Sequence, residues 1–410
     1  MTVNPNAVLN GGLIADAERI KANNPTPRAQ IVCTRGSFAY GGVGAGARND
    51  TRFESSLIVS TCNSRVGNIQ LIYSGLYANT NEESTNLLTQ YTLESAVVQN
   101  GVMNPVTFGG RLRPVIDAGA TLVISDPVGV SLDPESLITL RSGAIVVAGD
   151  RVPAGCRGGG STTARVASTS ATSQVYSTDA ITTPSGGTTT TSSICPVAVI
   201  GVPEVATPSV LIWGDSIPHG QGDTSDFATG LIGYAERALG ALKIPFVQIG
   251  RGGDQTTTYS TSKNWVRFGL MQYASHVLFT CATNDIVGST TLEALQTKHR
   301  AGWAAAKRAG CKVIVGTCPT RTSSTDGWST LENQTIVAGF GDNELRGDWN
   351  AWLLTAAASG EIDYLFDVNE HVSSGGKWLP DLSDDGIHPN NDGHLVLDAA
   401  FRLILAQLVV

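Results

Sequence analysis

Charge is scarce in this 410-residue chain, with Asp, Glu, Lys and Arg together at 15%. Lysine is scarcest: there are seven, and none lies between Lys21 and Lys243. With 27 basic residues against 35 acids the formal net charge is −8, and no basic stripe is present to release counterions from a phosphate backbone. Nucleic acid is therefore excluded as a partner. No apolar run reaches the ~18 residues that would cross a bilayer, so no membrane span is expected. Residues 1–21 lack a basic segment followed by an apolar stretch, so no secretory signal is read there and the compartment stays open.

Metal and redox motifs are missing as well. None of the seven cysteines forms a C-x-x-C pair, which argues against a zinc ribbon or a thioredoxin-like site. Cys281, Cys311 and Cys318 lie in or beside apolar runs, as buried thiols do. A disulfide between Cys156 and Cys195 would close the segment between them. Asp381, Asp384 and Asp385 lack the alternation of a calcium loop. The string Gly42–Ala47 has dinucleotide-binding spacing, but no helical pattern follows it. No metal or cofactor is expected.

What is present is a globular composition, 41% apolar with a mean hydropathy near zero, in a chain long enough for two or three domains. Its character changes near residue 205. After a short helix at about 13–22, residues 1–205 read as brief strands (57–61, 68–73, 121–125, 136–147) punctuated by Gly, Pro, Asn and Asp, a pattern that suits a β-sandwich. From Ser161 to Ser193, 19 of 33 residues are Ser or Thr. That stretch reads as a flexible linker or as exposed Thr-rich strands; a hairpin or long loop over 157–195 within the first domain is the reading adopted.

Residues 206–410 alternate strands (210–213, 245–249, 277–280, 312–317, 362–368) with helices (228–242, 291–309, 344–358, 393–408). Such alternation predicts a parallel sheet covered by helices, with ligands at the carboxyl ends of the strands. Polar clusters fall there. Gly214-Asp215-Ser216 follows the first strand and places a hydroxyl above the sheet, outside the G-x-S-x-G pattern. Asp385-Gly386-Ile387-His388 precedes the last helix. Its carboxylate can hold the imidazole Nδ1–H while Nε2 takes a serine proton. Gly250-Arg251-Gly252-Gly253-Asp254 and Thr283-Asn284-Asp285 offer donors to a developing oxyanion.

The order of these four blocks resembles the SGNH (GDSL-type) hydrolase family over about residues 208–410. The resemblance implies a flavodoxin-like three-layer α/β/α fold, no metal, and ester or thioester hydrolysis. It assigns Ser216 as nucleophile and first oxyanion donor, Gly253 (or the adjacent Gly252) as the second, Asn284 as the third, and Asp385 and His388 as the remaining catalytic pair. Ala282 stands where the family's third block usually begins with glycine. Short-chain or acetyl esters, carried by a small molecule or a glycan, are the expected substrates. The competing reading is a non-enzymatic carbohydrate-binding or surface-appendage protein, viral or cellular, with a vestigial hydrolase half. Of the other residues, His219 and His394 read as surface histidines that also lie near the site, and Trp328 in the loop 319–341 as a sugar-stacking platform.

Overall fold

The computed structural model describes residues 28–408 except 40, 45–50, 86–88, 149, 155–162, 171, 190–193 and 225–228. The expected helix at 13–22, Cys156 and part of the Gly42–Ala47 string lie outside the described residues. Gly41–Gly44 is a strand, paired with Arg151–Ala154.

The first half is β-rich. Arg52–Ser60 and Leu137–Ile145 pair antiparallel in unbroken register, at the centre of a seven-stranded sheet. A five-stranded sheet is built on Val66–Tyr73 and Ala198–Pro203. Ile69, Leu71 and Tyr73, the alternate residues of one strand, are buried in a cluster with Leu57, Leu93 and Leu140 of the larger sheet. Of the two forms expected for the Ser/Thr-rich segment 157–195, the structure has the hairpin, with Val166 and Ala167 paired antiparallel to Thr189 and Thr188. Thr163–Ser168 pairs with Arg52–Ser60, and Gln174 N–H donates to Glu54 Oε1 at 2.8 Å. Hydroxyl-bearing β-formers gain a ladder of backbone bonds there, and buried Val175 anchors the segment. Cys195 is disulfide-bonded, whereas Cys33, Cys62, Cys281, Cys311 and Cys318 are buried free thiols.

The second half is organised on a six-stranded, wholly parallel sheet in the order Gly36–Ser37, Phe246–Gln248, Val210–Trp213, His276–Phe279, Lys312–Gly316, Tyr364–Phe366. Its central strand is apolar throughout and fully buried, as a parallel strand covered on both faces must be. Leu211 and Trp213 pack in one cluster with Leu295 and Trp303 of the helix Leu292–Arg308 and Trp349 of Leu345–Ala358. Val210 and Ile212 pack in another, with Tyr234 of Gly233–Ala241 and Leu397 of Asn391–Leu405.

One edge strand of this sheet comes from the other half of the chain. Gly36–Ser37 pairs parallel with Val247–Gln248, and a methyl group at Gly36 would approach Val247 Cγ2 to 2.7 Å and the Val197 carbonyl oxygen to 2.9 Å. Ile72, Leu76, Val197 and Ile200 share a cluster with Leu211 and Leu270, so the core runs across residue 205 without a break. Among the described residues no helix is long and apolar enough to cross a membrane.

Candidate active site

The central strand Val210–Trp213 delivers Gly214-Asp215-Ser216 to the carboxyl end of the sheet, beside the end of His276–Phe279. Sequential strands part to opposite sides of Val210–Trp213, and such a switch point opens a crevice. Asp215 turns back on its own backbone, its Oδ1 accepting from Ile217 N–H at 3.0 Å. Burial pushes its carboxyl up to about 7. Ser216 and His388 are both buried, at 6% and 8% exposure, so their contact is shielded from bulk water.

Three side chains line up. Ser216 Oγ lies 2.8 Å from His388 Nε2, and His388 Nδ1 lies 2.7 Å from Asp385 Oδ2. Asp385 Oδ1 also accepts the N–H groups of Ile387 and His388, each at 2.8 Å. Desolvation of the Asp385 carboxyl favours its neutral form, but these three donors outweigh it and hold the pKa down to about 2. The loop ends where Asn390 caps the last helix, its Oδ1 accepting from Gly393 N–H at 3.1 Å.

The loop 250–254 and the short helix Thr283–Val287 flank Ser216. A methyl group at Gly252 would lie 3.7 Å from Ser216 Cβ, while one at Gly253 would face Thr80. Among the described residues the N–H groups of Ser216, Gly252 and Gly253 have no acceptor within the chain. Asn284 Nδ2 donates to the Asp254 carbonyl at 3.0 Å, which leaves its second N–H free of that bond. The two elements are tied by Asp285, which accepts from Thr256 N–H at 2.8 Å and Thr256 Oγ1 at 2.6 Å. Ala282 takes φ −173°, extended backbone open to any residue, so the missing glycine leaves the turn intact.

The structure brings Ser216, His388 and Asp385 into direct contact and sets Gly252 beside Ser216, while Asn284 joins the same loop through the Asp254 carbonyl. Sequence reasoning missed Arg321, from the loop after Lys312–Gly316. Its Nη2 donates to Asn284 Oδ1 at 3.1 Å and its Nε to Thr283 Oγ1 at 2.8 Å. Burial lowers its pKa, a cost that Cys318, Asp215 and Asp385 partly offset. No motif signals this arginine; only its place after a strand end hints at it.

The other candidates differ in their surroundings. His394 is fully buried rather than on the surface, its Nδ1 accepting from Tyr234 N–H at 3.2 Å and its Nε2 facing the Gln221 carbonyl at 3.0 Å. His219 is half-buried. Trp328 is half-buried too, its indole N–H held by Thr322 Oγ1 at 2.9 Å. No group of acidic, histidine or cysteine side chains suited to a metal occurs among the described residues.

Residues 212–396 match the GDSL-like Lipase/Acylhydrolase family, and the second half of this chain carries a domain of that family. That half is similar to solved structures. One is a member of the lipolytic protein G-D-S-L family from Veillonella parvula (16% identity, 49% of this chain and 100% of that one, TM-score 0.36). Another is a GDSL-like lipase from Bacteroides thetaiotaomicron (14%, 48% and 88%, TM-score 0.35). A third is a catalytic mutant of an acetylxylan esterase from Geobacillus stearothermophilus (18%, 47% and 92%, TM-score 0.35). No curated protein matches the chain.

Proposed function

We propose that the protein is a serine ester hydrolase that works through an acyl-enzyme on Ser216, with Asp385 and His388 completing a catalytic triad. The observation that carries this reading is the continuous contact Asp385–His388–Ser216, at 2.7 and 2.8 Å. Asp385 fixes the imidazole with its proton on Nδ1, so Nε2 is free to take the Ser216 proton as Oγ attacks the acyl carbon. The carbonyl oxygen gains negative charge in the tetrahedral intermediate. The Ser216 and Gly253 N–H groups and the Asn284 amide form the oxyanion hole that receives it. His388 then gives its proton to the departing alcohol oxygen. Water, deprotonated by the same nitrogen, attacks the acyl-enzyme and releases the acid and Ser216.

Gly252, Gln221 and Asn284 around Ser216 are small or polar, which supports a short acyl group, such as acetyl, on a polar alcohol of the glycan type. The architecture is read as a flavodoxin-like α/β/α domain behind a β-sandwich. Support comes from the two clusters on opposite faces of the parallel sheet and from the single core between the two antiparallel sheets. Hydrolysis of p-nitrophenyl acetate by the wild type and by Ser216→Ala tests the reading. A loss of about 10³-fold or more in the variant is expected, and equal turnover by both proteins rejects Ser216 as nucleophile.

A further inference from the structure

The first half of the chain reaches the oxyanion loop. Tyr77–Asn79 and Glu82–Ser84 form a hairpin whose two-residue turn, Thr80-Asn81, lies directly against residues 251–255. Asn81, at φ +66°, makes three bonds there. Its N–H donates to Asp254 Oδ1 at 2.7 Å, its Oδ1 accepts from Gln255 N–H at 2.6 Å, and its Nδ2 donates to Gln255 Oε1 at 3.1 Å. Arg251 closes the other side, donating to Thr80 Oγ1 at 2.5 Å. The hairpin is anchored by buried Glu83, which accepts from Val266 N–H at 2.9 Å and Arg267 N–H at 2.8 Å.

The two glycines of this loop face different neighbours. A methyl group on Gly252 would sit 3.7 Å from Ser216 Cβ, and one on Gly253, at φ +87°, would sit 3.8 Å from Thr80 Cγ2. Ser216 therefore lies on one side of the two glycines and the hairpin turn on the other. A backbone donor must hold its place to a few tenths of an ångström to favour the transition state over the substrate. A glycine pair has little side-chain packing to hold it, so the hold must come from neighbours.

We propose that this hairpin is a positioning element of the active site, and that Asn81 sets the place of the Gly253 N–H. The kinetic part of the proposal rests on the serine esterase reading above. The first half of the chain then contributes to the catalytic centre. Asn81 does not touch the reacting atoms; it acts through Asp254 and Gln255.

The test uses the full chain with Asn81→Gly, which removes both side-chain bonds yet accepts φ +66°, and Asn81→Asp, which keeps the acceptor for Gln255 N–H. Two quantities are read: kcat and KM for p-nitrophenyl acetate, and amide hydrogen exchange of residues 250–256. In Asn81→Gly we expect kcat about tenfold lower with KM within about twofold, faster exchange confined to that loop, and an unchanged melting temperature. Asn81→Asp should recover most of kcat. Unchanged exchange in Asn81→Gly overturns the proposal, and so does faster exchange with unchanged kcat. If the wild type itself hydrolyses no ester while Asn81→Gly still loosens the loop, the esterase reading fails and the hairpin's hold on the loop stands.

Discussion

Asn284 is held by Arg321: the guanidinium Nη2 donates to Asn284 Oδ1 at 3.1 Å while Asn284 Nδ2 donates to the Asp254 carbonyl at 3.0 Å. The two bonds fix which end of the amide carries its hydrogens. Turned over, the amide would set its NH2 against the guanidinium and its oxygen against a carbonyl.

Arg321→Met should therefore lower kcat for p-nitrophenyl acetate by about tenfold, with KM within about twofold, because the Asn284 donor loses its fixed direction. Arg321→Lys keeps a charge but not the planar fork that reaches both Thr283 and Asn284, and should fall between the two. Steady-state kinetics on the three proteins, with melting curves as a control, reads this directly.

Asp385→Asn should cost about 10³–10⁴ in kcat, because an amide facing Nδ1 favours the tautomer in which Nε2 carries the proton and cannot accept one from Ser216. In the wild type the carboxyl stays ionised down to about pH 2. A pH–rate profile from pH 5 to 9 should consequently show no limb that belongs to Asp385.

His299 supplies a pH dependence of stability. It is fully buried against Trp303 and Trp349 with Nε2 at 2.7 Å from the Cys281 carbonyl, and burial lowers its pKa to about 4. Between its ordinary 6.5 and about 4 the unfolded chain takes up a proton that the folded chain refuses. Its contribution is complete above about 6.5 and is lost as pH falls toward 4. His299→Gln, which cannot titrate, should melt lower than wild type at pH 7 yet lose a few degrees less between pH 7 and pH 4.

Gly36→Val should destabilise the fold by roughly 1–3 kcal/mol, since the added atoms meet Val247 and the Val197 carbonyl at the shared edge of the sheet. A single cooperative denaturant transition at lower midpoint is expected, because the core is continuous across both halves.

The Ser216–His388–Asp385 contact was legible because its residues sit beside strands and turns that announce themselves. Val210–Trp213 is four apolar residues followed by Gly-Asp-Ser, and Asp385 lies three residues from His388, a local spacing that needs no knowledge of the fold. Arg321 and Asn81 were not legible for the opposite reason. Each acts on a residue far away in the chain, 37 positions for Arg321 and Asn284, 173 for Asn81 and Asp254, and a turn asparagine or loop arginine has the same sequence appearance wherever it docks. Gly36–Ser37 is too short a strand to show any periodicity. His394 was misplaced because an amphipathic helix start does not reveal that Tyr234 of another helix covers it.

The borrowed edge strand also bears on how this chain can be divided. The composition break near residue 205 invites a cut there, yet the severed second half would carry Phe246–Gln248 as a bare sheet margin where Gly36–Ser37 now pairs. Unpaired margins of this kind recruit strands from other molecules. A fragment starting at 206 would be prone to self-association in expression, and a soluble minimal version would need the 36–37 segment grafted back or a charged residue placed on the newly opened margin.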